Sequence, residues 1–300
     1  MTPLQRYIVE EIAADHADGL LTRREALRRL GLLGVGTTTA AALLAACSND
    51  GQPADRVPST NGSAAPEPPG MSTAVPTTAV TFSGPDGREL QGAWAAAARP
   101  RGTVLVIHEN KGLTDHIRSV AGRFAGVGYS ALAVDLLSEE GGTATFTDPA
   151  AATAALSKIP QDQLVADLRA GIDELERRAP DKKIGATGFC FGGGLVWLLL
   201  TSGTPKLAAA TPFYGPFPDD GDLSGSKAAV LAVYAALDAR IDASRPGAEA
   251  ALHRADLPFE VFVAPDADHA FFNDTGPRYN PAAANEAWRR VVDWYAAWLG

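Results

Sequence analysis

Beyond residue 78 the chain alternates between short apolar runs and segments whose apolar residues recur at helical spacing. The run 103–108 has almost no polar residue, as expected for a parallel strand buried on both faces. The predicted strands are 79–82, 90–96, 103–108, 129–134, 183–187, 208–214, 228–235 and 259–263. The first two, joined around Pro85-Asp86-Gly87, predict a hairpin. The whole pattern predicts an α/β domain with a mostly parallel, doubly wound sheet of about eight strands flanked by helices.

Three longer segments predict the main helices. Residues 115–127 and 161–178 each have one apolar face, and the last helix begins with Asn280 as cap and Pro281 in its first turn. Between them, residues 137–159 are irregular. Insertions that follow the carboxyl ends of strands line the ligand crevice of such sheets, so this segment is predicted to be a pocket rim.

The N-terminal part has the order of an export signal. A Thr-Arg-Arg sequence at 22–24 precedes the uncharged run 31–46, which ends in Leu-Ala-Ala-Cys at 44–47. The run is short for a spanning helix, which needs about 20 apolar residues. Leu-Ala-Ala-Cys resembles the lipobox of bacterial lipoproteins, which implies that Cys47 becomes the lipidated first residue; the alternative is a cysteine that merely follows an Ala-rich helix. We therefore expect 1–46 to be a signal, with export by the twin-arginine route or by general secretion.

The next segment, 47–78, consists mainly of Pro, Ser, Asn, Gly, Ala and Thr. With few large apolar residues it cannot bury a core, and it is predicted to be a disordered tether. The tether would connect the lipid anchor to a catalytic domain at 79–300. The expected location is the outer side of the cytoplasmic membrane, or the periplasm.

Composition and charge limit the partners. The 300 residues carry a formal net charge of −9, with 46% hydrophobic and 20% charged residues, which is typical of a globular protein. An acidic chain without a Lys/Arg stripe is not expected to bind nucleic acid. The two cysteines, Cys47 and Cys190, cannot form a disulfide framework, and no Cys/His cluster has zinc-ligand spacing. We expect no metal or cofactor, a monomer, and membrane contact through the lipid on Cys47.

The main candidate chemistry lies at Cys190, in the centre of Gly-Phe-Cys-Phe-Gly-Gly-Gly (188–194), between a predicted strand and an apolar helix. A nucleophile on a sharp strand-to-helix turn needs small residues two positions before and after it, and Gly188 and Gly192 stand there. The backbone N–H of Phe191, at the helix N-terminus, could bind an oxyanion, and the helix dipole favours a thiolate. The alternative is a buried structural cysteine.

A base and an acid follow in the chain. His269 lies in the loop between the last strand and the last helix, and Asp238 lies just past the strand 228–235. Nucleophile, acid, base is the chain order of α/β hydrolases. Asp242, deeper in the same loop, is the reserve acid.

The other acidic and histidine residues have predicted structural roles. Asp266 and Asp268 are expected to shape the turn that carries His269. His116 and His253 fall on predicted helices and are expected to face solvent.

The sequence His-Glu-Asn-Lys-Gly at 108–112 follows the first parallel strand, where this fold supplies the second oxyanion donor. The N–H of Asn110 is the candidate. Glu109 is unusual, because a carboxylate beside a nucleophile raises the pKa of a thiol unless it accepts the proton itself. The alternative is a surface glutamate.

Taken together, His-Glu-Asn-Lys-Gly-Leu, Gly-Phe-Cys-Phe-Gly-Gly-Gly and Asp-His-Ala-Phe resemble the dienelactone hydrolase family, also called carboxymethylenebutenolidases. The resemblance implies an α/β-hydrolase fold in which Cys190 attacks a lactone carbonyl and His269 and Asp238 complete the triad. It also implies that Glu109 holds the thiol. The reaction would pass through an acyl group on Cys190, hydrolysed by water that His269 activates.

The sequence departs from the family where the substrate carboxylate is bound. The family uses arginines after the second parallel strand and shortly after the catalytic histidine, but 137–159 contains no Arg and Asn273 stands near His269. Arg240 and Arg278 are possible substitutes by their proximity in sequence. The expected substrate is therefore a lactone, an aryl or alkyl ester, or a thioester. A second hypothesis is a tethered ligand-binding module without turnover.

Overall fold

The computed structural model describes residues 3–47 and 67–300. Two compact units are present: Met1–Ala65 with Phe146–Gln161, and Pro66–Thr145 with Asp162–Gly300. The strands are β1 (Thr78–Ser83), β2 (Glu89–Ala95), β3 (Gly102–Ile107), β4 (Tyr129–Asp135), β5 (Ile184–Phe189), β6 (Leu207–Phe213), β7 (Ala229–Ala235) and β8 (Phe259–Ala264). The α-helices are α1 (Pro3–Ala17), α2 (Arg23–Leu32), α3 (Thr37–Cys47), α4 (Asp115–Gly126), α5 (Pro149–Leu156), α6 (Gln161–Arg178), α7 (Phe191–Thr201), α8 (Ala239–Asp242), α9 (Arg245–Arg254) and α10 (Pro281–Trp298).

The second unit contains one eight-stranded sheet with the order β1-β2-β4-β3-β5-β6-β7-β8. β1 and β2 form the predicted antiparallel hairpin, β2 also pairs antiparallel with β4, and all other pairs are parallel. Every residue of β3, β4, β5 and β7 is buried, which explains their continuous apolar sequences. The predicted mostly parallel sheet flanked by helices is confirmed.

Helix α10 shows how sequence pattern and packing agree. Asn280 caps it, with its side-chain oxygen accepting from the N–H of Ala283 at 3.1 Å. Its apolar face buries Tyr295, whose hydroxyl lies 2.5 Å from the hydroxyl of Thr187 and 3.0 Å from that of Thr211. These bonds satisfy hydroxyl groups that would otherwise be costly in the core, because a buried polar group without a partner loses its hydration.

Described residues that precede β1 pack on α4 within the second unit. Residues 48–66 of the predicted tether lie outside the described residues, but the segment from residue 67 contacts α4. The N–H of Val75 donates to the carbonyl of Gly122 at 3.0 Å. A Cβ on Gly126 would lie 2.1 Å from the carbonyl oxygen of Thr73. Gly122 and Gly126, one helical turn apart, therefore let the backbone of this segment lie directly on the helix.

The first unit consists of α1, α2 and α3, which contact one another, and α5, which contacts α2. Thr22 is the N-cap of α2 and accepts from the N–H of Glu25 at 3.3 Å. Arg28 forms ion pairs with Glu25 and with Asp148, at 2.8 and 2.7 Å. The predicted pocket rim, 137–159, is therefore divided: residues up to 145 belong to the unit with the sheet, and α5 belongs to the helical unit.

Most of the described residues of the predicted export signal lie in α1, α2 and α3 of this unit. Arg23 and Arg24 are exposed at the start of α2, and Cys47 is the last residue of α3. Within 3–47 and 67–300, no helix combines the length and the apolar character needed to cross a membrane.

Candidate active site

Cys190 occupies a strained turn between β5 and α7. Its φ of 58° and ψ of −117° lie outside the regions that residues with a side chain normally adopt. Two backbone hydrogen bonds hold it there: its N–H donates to the carbonyl of Phe213, and its carbonyl accepts from Gly194, both at 3.1 Å. Only 2% of Cys190 is exposed. The strain is therefore maintained by the neighbouring backbone.

Glycines make this turn possible. A Cβ on Gly188 would lie 2.1 Å from the carbonyl oxygen of Gly192, and one on Gly192 would lie 2.4 Å from that of Ile107. Both are positions at which the nucleophile turn is predicted to need small residues. The structure adds Gly193, where a Cβ would lie 2.3 Å from the carbonyl oxygen of Phe213. All three obstacles are backbone atoms, so a larger residue would have to move a strand end or the helix.

The structure brings His269 and Asp238 together. Nδ1 of His269 lies 2.5 Å from Oδ2 of Asp238, and both side chains are buried. The other carboxylate oxygen of Asp238 accepts from the N–H of Ile241 at 3.3 Å, which caps α8. A ring nitrogen of His269 and the Sγ of Cys190 lie within 4.8 Å of each other. The residues predicted as nucleophile, acid and base therefore form one cluster at the carboxyl ends of β5, β7 and β8.

Electrostatics keep Asp238 ionised. Burial alone would raise the pKa of Asp238, but the hydrogen bond from His269 and the positive charges of His269 and Arg240 outweigh it and lower the pKa. Asp242, the reserve acid, is bonded to Arg245 at 2.8 Å instead. The geometry thus selects Asp238 as the partner of His269.

The loop that carries His269 is held by ionic and backbone contacts. Oδ1 of Asp268 accepts from the N–H of His269 at 2.6 Å, and Oδ2 pairs with Nε of Arg278 at 3.2 Å. The carbonyl of Asp266 accepts from the side chain of Asn280 at 2.9 Å. Both acidic residues therefore shape this turn, as their positions in the sequence predict. Arg278 therefore helps to hold the His269 loop through its ion pair with Asp268. The positive charge of Arg240 acts on Asp238, whose pKa it helps to lower.

Sequence reasoning gives no role to His108, which directly follows the buried strand β3. It is fully buried; Nδ1 donates to the carbonyl of Glu109 at 2.6 Å, and Nε2 accepts from the N–H of Leu136 at 3.2 Å. Burial lowers the pKa of His108, so the ring is neutral and each nitrogen has a defined role. Its ring also stacks on Phe191 at 6.4 Å. His108 therefore fixes the turn into the loop of Glu109 and Asn110 and packs it beside the nucleophile turn.

Glu109 and Asn110 are both buried, so Glu109 is not the surface residue of the alternative interpretation. The carboxylate Oε2 of Glu109 accepts from the side-chain amide of Asn273 at 2.7 Å. This bond connects the loop after β3 with the loop that carries His269.

The first part of the predicted rim also contacts the loop after β3. Asp135, at the end of β4, accepts from the N–H of Leu137 at 3.0 Å and from the hydroxyl of Thr143 at 2.8 Å. The same hydroxyl oxygen accepts from the N–H of Leu113 at 2.8 Å. Residues 137–145 and 108–113 are therefore connected through Thr143.

The prediction that His116 faces solvent is wrong. His116 is buried, and its Nδ1 lies 2.6 Å from Oδ1 of Asp274. The loop after His269 covers this side of α4, which helical periodicity alone could not indicate. His253 is exposed on α9, as predicted.

The strand order and the nucleophile turn define an α/β-hydrolase fold. The family model described as "Dienelactone hydrolase family" matches residues 91–299. A carboxymethylenebutenolidase homologue of Escherichia coli O157:H7 is 34% identical over 214 residues, which cover 67% of this chain and 79% of that protein. One from Salmonella typhi is 34% identical over 222 residues, covering 68% and 82%.

Solved structures agree. A dienelactone hydrolase homologue of Klebsiella pneumoniae has a TM-score of 0.64 and 30% identity, covering 74% of this chain and 99% of that chain. A dienelactone hydrolase-like promiscuous phosphotriesterase from metagenomic libraries has a TM-score of 0.63 and covers 75% and 100%; at 24% identity this likeness concerns the fold. The chain belongs to the dienelactone hydrolase family, and it is a hydrolase acting on lactone or ester bonds.

Proposed function

We propose that this hydrolase cleaves a lactone or small ester through a thioester intermediate on Cys190. The observation that supports this most directly is the arrangement of three side chains. Cys190 lies on a strained turn, a ring nitrogen of His269 lies within 4.8 Å of its Sγ, and Nδ1 of His269 lies 2.5 Å from Asp238. A nucleophile, a base and a group that orients the base are the requirements for covalent acyl transfer.

In the proposed first step, the thiol of Cys190 gives its proton to His269 while Sγ forms a bond to the carbonyl carbon. The carbonyl oxygen becomes an oxyanion, which the backbone N–H groups of Phe191 and Asn110 stabilise. The C–O bond to the leaving group then breaks, and the departing oxygen takes the proton from His269. Asp238 remains ionised and stabilises the imidazolium.

In the second step, His269 removes a proton from water, and the hydroxide adds to the thioester carbonyl. The C–S bond breaks, the carboxylic acid product leaves, and the proton returns to the sulfur. Each proton taken up by His269 is thus given back within the same half-reaction, so no redox partner or further cofactor is needed.

The test is the hydrolysis of p-nitrophenyl esters and of a carboxylated lactone by the full chain, compared with Cys190→Ala and His269→Ala. We expect turnover to fall roughly 10³-fold or more in Cys190→Ala, because the acyl acceptor is lost. Asp242→Asn is the matched control, since Asp242 pairs with Arg245. Equal turnover in wild type and Cys190→Ala would reject the thiol mechanism. Ligand binding without product in wild type would favour the binding module.

We also propose that the chain is exported and anchored through a lipid on Cys47. The support is the order of the sequence: an Arg-Arg pair at 23–24, an uncharged run, and Leu-Ala-Ala-Cys at 44–47. Labelling of cells with a fatty acid tests this. Cys47→Ala should lose the label and leave the membrane fraction, while Cys190→Ala, the matched control, should keep both. A membrane fraction unchanged in Cys47→Ala would contradict the anchor.

A further inference from the structure

Two residues beside the active site have backbone conformations that residues with a side chain rarely adopt. Tyr214, the residue that follows β6, has a φ of 35°, and Ala270, the residue that follows His269, has a φ of 60°. Both values lie in the left-handed region, which favours glycine. Such strain persists only where surrounding contacts fix it, and it is concentrated at functional sites. The contacts of Tyr214 therefore indicate which group the strain serves.

Neighbouring segments hold the backbone around Tyr214 in place. The N–H of Tyr214 donates to the carbonyl of Val233 in β7 at 2.7 Å. The carbonyl of Phe213 accepts from the N–H of Cys190 at 3.1 Å. A Cβ on Gly215 would lie 2.2 Å from backbone atoms in the first turn of α7. Because these three residues are fixed against β7 and the nucleophile turn, Tyr214 cannot relax without disturbing the active site.

The ring of Tyr214 is fully buried and contacts the catalytic histidine. Its centroid lies 5.2 Å from that of His269, with an angle of 63° between the rings, and 5.4 Å from that of Phe271, with an angle of 67°. Edge contacts of this kind are a favoured arrangement of aromatic rings. His269 and Phe271 stand on either side of Ala270 in the chain. The strained residue of the His269 loop is therefore flanked by two side chains that contact the same ring.

His269 needs a second restraint besides its hydrogen bond. Nδ1 of His269 lies 2.5 Å from Oδ2 of Asp238. A single hydrogen bond leaves the imidazole free to swing about the line that joins these two atoms. The other nitrogen must nevertheless stay directed at the Sγ of Cys190, because a displacement of about 1 Å between reacting groups can cost on the order of 100-fold in rate. The Tyr214 ring, which contacts the imidazole, restricts this swing.

We propose that Tyr214 is a positioning residue for His269. Its ring fixes the plane of the imidazole, and its strained backbone, tied to the nucleophile turn through the carbonyl of Phe213, sets the base and the nucleophile at one relative position. This rests on the proposed roles of His269 and Cys190. The aromatic ring carries the role and the hydroxyl does not. Loss of the ring should therefore lower kcat rather than raise KM.

The experiment compares wild type with Tyr214→Phe, Tyr214→Leu and Tyr214→Met in the full chain. Two quantities are measured: steady-state kinetics with p-nitrophenyl acetate, and the NMR signal of the proton on Nδ1 of His269, assigned as the signal that His269→Ala lacks. We expect Tyr214→Leu to lower kcat about 10- to 100-fold with KM within about threefold, and to broaden the signal. Tyr214→Phe should keep kcat within about twofold and retain the signal.

Tyr214→Met is the second variant without a ring, in case Tyr214→Leu does not fold. Its flexible side chain fills the space with the least disturbance of the neighbours, and it should show the same loss of kcat and of signal. Phe271→Leu, which removes the other ring beside Ala270, should lower kcat less. In a Tyr214→Leu background Phe271→Leu should have no further effect, because the two rings act as one unit.

Tyr129→Leu is the matched control for folding. Tyr129 is also fully buried, with its ring 5.8 Å from that of Tyr295, but it is the first residue of β4. The amino ends of parallel strands lie at the edge of the sheet opposite the carboxyl ends, where the active site is. Tyr129→Leu should therefore lower the melting temperature while leaving kcat and the His269 signal as in wild type.

The outcomes are distinguishable from those for the proposed function. A wild-type kcat and His269 signal in Tyr214→Leu and Tyr214→Met would overturn the positioning role. An equal loss of kcat in Tyr214→Phe would also overturn it, because the hydroxyl would then carry the effect. Loss of the signal in Tyr129→Leu would show that general destabilisation suffices. If Cys190→Ala retains turnover, the nucleophile assignment fails, while the His269 signal still reports whether Tyr214 positions the imidazole.

Discussion

The backbone N–H of Cys190 donates to the carbonyl oxygen of Phe213 at 3.1 Å, which ties the nucleophile turn to the end of the neighbouring strand β6. The same oxygen lies 2.3 Å from the place where a Cβ on Gly193 would stand. One backbone carbonyl thus holds the cysteine in its strained conformation and excludes a side chain at Gly193, in the first turn of α7. This relationship makes the glycine requirement testable.

Gly193→Ala is expected to destabilise the protein by about 1–3 kcal/mol or more, because a strand end or the helix must move to admit the methyl group. Urea unfolding measures this, and hydrolysis should fall with it. Gly247→Ala is the matched control: it lies in α9, and the nearest atom to its added Cβ is 3.9 Å away. Its free energy of unfolding should equal that of wild type or exceed it by up to about 1 kcal/mol, because Ala is favoured over Gly inside a helix. Equal effects of the two substitutions would contradict the packing argument.

Asp238→Asn is expected to reduce kcat on the order of 10³-fold or more, because an amide in place of the carboxylate favours the wrong tautomer of His269 and does not stabilise the imidazolium. Asp242→Asn, at the last residue of the short helix that Asp238 caps, should keep kcat within about twofold of wild type, since its carboxylate contacts Arg245. Steady-state kinetics of both variants with one p-nitrophenyl ester shows which of the two aspartates acts on His269. A larger loss in Asp242→Asn would show that the acid has been assigned to the wrong residue.

The parts of this structure that could be predicted from sequence are those whose physical cause is local. Continuous apolar runs identify strands buried on both faces, and Gly188 and Gly192 identify the nucleophile turn because the excluded Cβ atoms lie within that turn or against the adjacent strand. The chain order of Cys190, Asp238 and His269 follows from the topology, because each residue follows a different strand.

Contacts between distant loops could not be predicted in the same way. Asn273 and Glu109 are 164 positions apart, and neither residue has a local pattern that indicates the other. His116 lies off the apolar stripe of α4, which predicts exposure, yet Asp274 covers it. Similarly, the small residues of α4 give no sign from spacing alone that the segment around Val75 will lie on them.

Asp274→Asn is expected to destabilise the protein by roughly 3 kcal/mol at neutral pH, because Arg123 keeps its charge in a buried site without a carboxylate partner. The pKa of Asp274 is about 2 in the folded protein, below roughly 3.9 in an unfolded chain. The ionised pair therefore stabilises the fold above pH of about 4, and this contribution is lost as the pH falls toward 2.

Urea unfolding of wild type and Asp274→Asn at neutral pH and at several acidic values checks this dependence. The difference between the two proteins should shrink as the pH falls. Asp293→Asn, an exposed residue paired with Arg289 at 2.9 Å, should show a small difference at every pH. A constant difference between wild type and Asp274→Asn down to acid pH would contradict the ionic origin of the stabilisation.

Arg278 provides the clearest test of whether a substrate carboxylate is recognised. Because its Nε pairs with Asp268, which accepts from the N–H of His269, we expect Arg278→Ala to lower kcat by loosening the His269 loop. It should do so equally for a carboxylated lactone and for the methyl ester of the same lactone. The ratio of the two kcat/KM values in wild type and variant is the measurement. If the ratio in Arg278→Ala stays within about twofold of the wild-type ratio, Arg278 holds the loop and does not bind the substrate. Loss of an ion pair to the substrate would lower kcat/KM only for the carboxylated compound. A selective fall of about 10-fold or more for the carboxylated lactone would instead assign the guanidinium to the substrate, and Asp268 would then be its partner only in the absence of ligand.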